Sequence, residues 1–285
     1  MIQAQPSKTA LRVALRRAAH QIHDAKPLVF EDPLAVRILG AEFADEVKRT
    51  PDSIKRPWSA GLRAFMVARA RLAEDTLAAG VREHGVTQYV VLGAGLDTFA
   101  YRNPFPELNV FEVDFPATQE WKREMLAKAE IALPEGLTFV PLDFEHHTLA
   151  EGLDEAGFDR TKPAFFGWLG VVPYLTLGAF RATLHGIGEM PAGSGVAFDY
   201  ALPPETLSLV GRIAFEALAA RVAKAGEPFK LFFSPETLDA ELRGAGIKRL
   251  EQLDYSEINE RYFKDRADGL KLSAVKLAML VTGWV

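Results

Sequence analysis

Val91-Leu92-Gly93-Ala94-Gly95-Leu96-Asp97-Thr98 sets two glycines, one residue apart, directly after a short apolar run. A strand ending in such a pair turns tightly and brings bare backbone against a ligand, since no Cβ holds the ligand off. The place of a third glycine, which a dinucleotide pattern would require, is taken by Thr98. A diphosphate at the following helix N-terminus is therefore less well provided for than an adenosine without phosphates. Taken alone, the pattern also fits a structural turn that binds nothing.

Two acids supply further chemistry. Asp114 closes Phe111-Glu112-Val113-Asp114, 19 residues beyond Gly95, where a carboxylate can accept hydrogen bonds from two ribose hydroxyls. The structural alternative is an N-cap for a helix opening at Pro116. Asp143 follows Val140-Pro141-Leu142. There it could meet the exocyclic amine of adenine while Leu142 or Phe144 packs on the ring; a plain cap or turn is the other reading.

The elements that must position these groups alternate. Apolar, β-rich runs at 89–92, 110–113, 138–142, 164–168, 196–198 and 276–281 predict strands, several of them buried on both faces. Helical patterns lie between most of them, clearest over 118–128 and 207–223. Strand–helix alternation implies right-handed βαβ units and an α/β fold with a doubly wound, mostly parallel sheet. The first 80 residues read as helical: 9–20, then 30–39, then a stripe from Leu62 to Leu77 that Gly80 is expected to stop. The chain is thus divided into an N-terminal helical part, 1–80, and a core, 81–285, forming one structural unit.

Three segments resemble the leucine carboxyl methyltransferase-like group of class I S-adenosylmethionine-dependent methyltransferases. They are Leu92-Gly93-Ala94-Gly95-Leu96-Asp97-Thr98-Phe99-Ala100-Tyr101-Arg102, Phe111-Glu112-Val113-Asp114-Phe115-Pro116 and Trp168-Leu169-Gly170-Val171-Val172-Pro173-Tyr174-Leu175-Thr176. The likeness runs in order from Phe30-Glu31-Asp32-Pro33 to the last strand. It implies a Rossmann-like core with the N-terminal helices as a lid, and S-adenosyl-L-methionine as cofactor. Gly93, Ala94 and Gly95 would pass the methionine moiety, Asp114 with Phe115 would hold the ribose, and Leu142, Asp143 and Phe144 would frame the adenine. Trp168 lies on the same rim. Arg69 would pair with the cofactor carboxylate, a natural bidentate match, although Arg71 stands two residues away. The departure is Leu169, where relatives often carry a glutamate for the cofactor's amino group; a main-chain carbonyl at Gly167 or Trp168 is the substitute.

The reaction so implied is methyl transfer to a carboxylate or hydroxyl oxygen of a small molecule. It needs positioning and exclusion of water more than it needs a base. No catalytic group is specified; Tyr174 and Tyr200 are candidates on the acceptor side, with packing roles as the alternative. Asp97, Tyr101 and Arg102 are expected to brace the glycine turn. Of Trp58, Phe65, Phe99, Phe105, Trp121, Phe165, Phe166, Phe232 and Phe233, one or two are expected at an acceptor pocket and the rest in the core. The alternatives carried are a cofactor-binding regulatory protein without turnover and a nicotinamide-dependent oxidoreductase, against which the missing third glycine and the lack of a Tyr-x-x-x-Lys pair both argue.

Composition excludes more than it specifies. Without cysteine there is no disulfide, thiolate metal site or cysteine nucleophile. Adjacent His146 and His147 point apart on an extended chain, so no metal site is expected. No apolar run is long enough to span a membrane and no secretory signal opens the chain, which makes the cytoplasm the expected location. The net charge of −5 divides into +4 over residues 1–80 and −9 beyond. Lys8, Arg12, Arg16 and Arg17 come without an acid among the first 23 residues; this is read as a targeting helix or nucleic-acid arm, as a solvated helix face, or as a cationic flap over an anionic ligand. The overall acidity argues against nucleic acid. A homodimer is the one protein partner considered.

Overall fold

The computed structural model describes residues 7–49, 57–142, 148–224, 226–273 and 276–285. The run Gln88–Leu92 forms β1, and with β2 (Asn109–Asp114), β3 (Leu137–Pro141), β4 (Ala164–Trp168), β5 (Gly195–Ala201), β6 (Arg249–Leu253) and β7 (Ala278–Trp284) it builds a seven-stranded sheet. The order is β3-β2-β1-β4-β5-β7-β6. Only β7 runs antiparallel to its neighbours. Every residue of β1, β4 and β5 is buried, which explains their unbroken apolar reading. Strand order reverses between β1 and β4, and a doubly wound sheet opens its ligand crevice at the carboxyl ends of the strands flanking that point.

Nine helices are described: α1 (Lys8–His23), α2 (Gly40–Arg49), α3 (Pro57–Glu83), α4 (Pro116–Lys128), α5 (Leu149–Glu155), α6 (Leu177–Gly188), α7 (Leu209–Ala223), α8 (Pro235–Gly244) and α9 (Tyr255–Tyr262). Behind β4 and β5 the core is aromatic, with Trp168 stacked on Phe180 at 5.5 Å and both rings against Phe198. α1 packs on α3, and α3 packs on β5. No described helix is long and apolar enough to cross a membrane.

The structure corrects three expectations. Residues 30–39 are not helical, with turns over 33–39, and the helix starts only at Gly40. Asp32 accepts the Leu34 N–H with its own side chain and precedes Pro33, so the backbone is steered away from a helix. Ala35, Ile38 and Leu39 are nevertheless buried, so their spacing reported burial without reporting a helix. Gly80 does not end α3, which continues to Glu83. A Cβ there would stand 3.0 Å from both Trp284 and Val86, so the glycine serves a close approach. The stop is Gly85, at φ +72°. Finally, β6 had no counterpart among the expected strands; it is an edge strand alternating exposed and part-buried residues.

Candidate functional site

A cavity of about 420 Å³ opens where β1, β2 and β4 end, lined by the glycine turn, Asp114, Phe115 and residues 167–171. Gly93 and Gly95 hold positive φ, +67° and +48°. A Cβ on Gly93 would meet Val171 at 2.4 Å, and one on Gly95 would meet Ala10 of α1 at 2.9 Å. The glycines thus answer to two close approaches, by the loop after β4 and by α1. Gly93→Ala is expected to lower the stability of unfolding by about 2–4 kcal/mol, from a left-handed Cβ added to a clash. Urea unfolding checks this, and a loss below about 1 kcal/mol would show that Val171 gives way.

Asp114 stands where the sequence reading put it. Its Oδ2 accepts the Gly95 N–H at 2.5 Å and its Oδ1 the Phe115 N–H at 2.7 Å, so it clamps the turn from below. Each oxygen keeps lone-pair capacity toward the cavity. Burial pushes the carboxyl up from its ordinary value, the two N–H groups pull it back, and Glu227 adds a smaller upward push.

Arg69, and not Arg71, reaches the site. Arg71 is exposed and binds Asp75. Arg69 is buried, donates from Nη1 to Asp199 at 2.9 Å, and packs its guanidinium against Gly170 so closely that a Cβ there would meet Nη2 at 2.8 Å. Asp199 also accepts the Gly170 N–H at 2.6 Å. One loop, one helix and one strand are locked at a single point.

The remaining expected residues divide. Ala94 lines the cavity, as does Trp168, whose ring is buried against Phe180. Leu142 does not line it; this side chain sits in the core, where a Cβ on Gly152 of α5 would meet it at 2.7 Å. Asp143, Phe144, His146 and His147 lie outside the described residues. Among those described, no cluster of three potential metal ligands occurs. Leu169 lines the cavity. The cavity does hold a carboxylate, one that the sequence reading missed. Glu227, beyond α7, lines the same cavity, accepts from the Ser7 hydroxyl at 2.8 Å and keeps its other oxygen buried without a hydrogen-bond partner. Nothing in its sequence context marks it.

The turn is braced from outside. Arg17 of α1 donates to Asp32 at 2.5 Å and to Asp97 at 3.0 Å. Thr98 donates to Asp32, and Arg102 grips both Thr98 and Glu74 of α3. Burial opposes the charge on Asp97, but Arg17, Lys122 and Arg102 outweigh it and hold the carboxyl below its ordinary range. Tyr101 joins a second pair, Glu112 and Lys122, lying over the lysine.

A second cavity, of about 160 Å³, adjoins the first; both are lined by Thr9, Val13, Met66, Arg69, Gly170 and Tyr174. Tyr174 therefore stands at the shared rim, its hydroxyl kept protonated mainly by burial. Tyr200 lines neither cavity: its hydroxyl donates to Gln252 of β6 at 2.5 Å inside the core. Of the aromatic candidates, Phe65 lines the second cavity, joined by Phe215 and Phe229; nothing is described of the Trp58 side chain.

Comparison with known proteins identifies the family. A family model described as "Leucine carboxyl methyltransferase" matches residues 10–188. The protein named "Putative S-adenosyl-L-methionine-dependent methyltransferase YktD" from Bacillus subtilis strain 168 is 34% identical over 93% of this chain and 94% of its own length. A namesake from Mycobacteroides abscessus is also 34% identical, over 70% of this chain and 66% of its own. A crystal structure described as a "putative methyltransferase" from Thermobifida fusca YX has the same fold, with a TM-score of 0.59, 18% identity, and coverage of 98% of this chain and 95% of that one. With a family model covering well over half its length and a relative matching nearly all of it, this chain belongs to the leucine carboxyl methyltransferase family.

Proposed function

We propose that this S-adenosyl-L-methionine-dependent methyltransferase methylates an oxygen, of a carboxylate or a hydroxyl, on a small molecule seated in the second cavity. The observation that carries the reading is the shared rim: a cavity walled largely by apolar side chains opens onto the cofactor cleft at Arg69, Gly170 and Tyr174.

The cleft fits the cofactor on its own features. The glycine turn and Asp114 line the cavity, and a buried oxygen of Glu227 lacks a partner. Asp114 would hold the ribose hydroxyls, Arg69 the carboxylate through the nitrogens not spent on Asp199, and Glu227 the ammonium that Leu169 cannot. When bound, the cofactor's sulfonium supplies an electrophilic methyl group to an oxygen lone pair, with the electrons of the broken bond staying on sulfur.

The chain's own groups then have three tasks. α1 lies over the glycine turn at Ala10 and excludes water, which is the sense in which residues 1–80 act as a lid. Arg69 and Asp199 neutralise each other at the rim, so the reacting oxygen meets no strong net charge. Tyr174, protonated, donates a hydrogen bond and does not act as base. A carboxylate acceptor needs no base at all, which makes it the better of the two acceptors for this cavity.

Thermal unfolding with S-adenosylhomocysteine, S-adenosylmethionine and NADPH tests the reading. At 100 times its dissociation constant a ligand adds about 2.7 kcal/mol of stability. Stabilisation by the two sulfur ligands alone is expected. Stabilisation by NADPH alone would overturn the reading in favour of a dehydrogenase.

A further inference from the structure

Three arginines at the second cavity have no acidic partner among the described residues. Arg12 and Arg16 reach it from α1 and Arg221 from α7, and none of the three lines the cofactor cleft. Arg16 donates from Nη1 to the Arg12 carbonyl oxygen at 3.2 Å, but its Nε is buried without a hydrogen-bond partner, as is Nη1 of Arg12. The buried arginines of the lid region are handled differently: Arg17 is paired to Asp32 and Asp97, Arg63 to Asp24, and Arg69 to Asp199. Burial, followed by the charges of Arg221 and Arg12, lowers Arg16 to about 10 from its usual value. Arg12 and Arg16 are half-buried and Arg221 is exposed; guanidinium nitrogens buried without a partner beside other cations cost stability, and a cost of that kind is characteristic of a binding site waiting for its counter-charge.

The walls around them are apolar, formed by Phe65, Phe215, Leu218 and Phe229 among others. The occupant is therefore amphipathic. The position of its charge follows from the reaction. Methyl transfer removes negative charge from the attacking oxygen, so a guanidinium bound to that oxygen would hold the reactant more tightly than the transition state and slow the step. The rim where transfer must occur carries the neutralised Arg69–Asp199 pair, whereas the free arginines line the second cavity alone.

Resting on the assignment of the neighbouring cleft to the cofactor, we propose that the second cavity selects small molecules with an apolar body and an anionic group that is not the methylated oxygen, held by Arg16 with Arg12 and Arg221. The group is a carboxylate or a phosphate, both of which match a guanidinium.

Binding to the full chain tests this without turnover. Octanoate, octyl phosphate and octanesulfonate, a very weak nucleophile, are titrated calorimetrically against 1-octanol and octyltrimethylammonium, with and without S-adenosylhomocysteine. The anions are expected to bind at least tenfold more tightly than the alcohol, and the cation not to bind; comparison of octanoate with octyl phosphate tells which anion is preferred. Arg16→Met and Arg221→Met should each weaken octanesulfonate at least tenfold while leaving the affinity for S-adenosylhomocysteine within twofold. Tyr174→Phe, at the rim, should change octanesulfonate affinity less than twofold. Because an uncompensated charge is removed, apo Arg16→Met should unfold at the same temperature as the native chain or higher, whereas a structural arginine would give a lower one.

Octanol binding as tightly as the anions, or arginine variants that bind octanesulfonate normally, would overturn the proposal. A Tyr174→Phe loss as large as that of Arg16→Met would place the anion at the reacting position and overturn it too. If S-adenosylhomocysteine fails to bind while the anions bind in an Arg16-dependent way, the anion site stands and the cofactor assignment falls.

Discussion

Replacing Asp114 with alanine is expected to weaken S-adenosylhomocysteine binding by about 100- to 20,000-fold, because two hydrogen bonds to a charged acceptor contribute about 1.5–3 kcal/mol each. The same substitution strips the Gly95 and Phe115 N–H groups of their acceptor, which costs about 1–3 kcal/mol of folding stability for each group left dry. The two effects separate in a pair of variants. Asp114→Asn retains one side-chain oxygen for the turn but loses the charge and half the acceptor capacity, so it should recover stability before it recovers affinity. Calorimetric titration at a temperature where both variants are folded reads the affinity directly. An Asp114→Ala chain that binds S-adenosylhomocysteine within threefold of the native value would remove Asp114 from the ribose site and leave it as a brace for the glycine turn.

Asp114 was legible because local sequence alone placed it, at the end of the second strand and at a fixed distance past a glycine turn. Tyr200 shows where such reading stops. The apolar run at 196–198 suggested that Tyr200 followed the fifth strand, but β5 extends to Ala201. Inside a strand, neighbours face opposite ways. Asp199 and Ala201 line the second cavity, so Tyr200 between them turns into the core. One misplaced strand end therefore exchanged a core tyrosine for the aspartate that anchors Arg69. Leu142 failed similarly: it stands one residue beyond β3, and packing against α5, an element not singled out in the sequence, took it from the cleft.

Glu227 and Arg221 were illegible for another reason. Each comes to the site from more than 100 residues beyond the glycine turn, through the docking of α7 and its following loop, and no local pattern encodes that docking. The arginines of α1 stand in the sequence as a charge excess whose readings include a solvated face and a flap over an anion. Periodicity cannot choose between them, since both place basic residues on one helical stripe. The structure divides the group. Arg17 braces the turn through Asp32 and Asp97, while Arg12 and Arg16 turn to the second cavity.

The pair behind the turn carries the largest expected effect on folding. Lys122 of α4 and Glu112 of β2 are almost wholly buried and 2.6 Å apart, two residues along the strand from Asp114. Removing one partner of a buried pair strands the other, at a cost of about 3–5 kcal/mol, and Lys122→Met is expected to lose that much at pH 8. The loss should shrink as pH falls. Burial outweighs the opposing pull of Lys122 and raises Glu112 to about 6 from its ordinary 4.5. The folded chain thus binds the proton more tightly than the unfolded chain, and stability falls as pH rises between the two values. Without Lys122 the folded value moves higher still, so the unfavourable window extends upward past pH 6, while at pH 5 Glu112 is largely neutral and its lost partner matters little. Urea unfolding at pH 5 and pH 8 measures both limbs, and Lys122→Met combined with Glu112→Gln should recover most of the deficit at pH 8. Equal losses at the two pH values would mean that the lysine contributes by packing its alkyl chain and not by its charge.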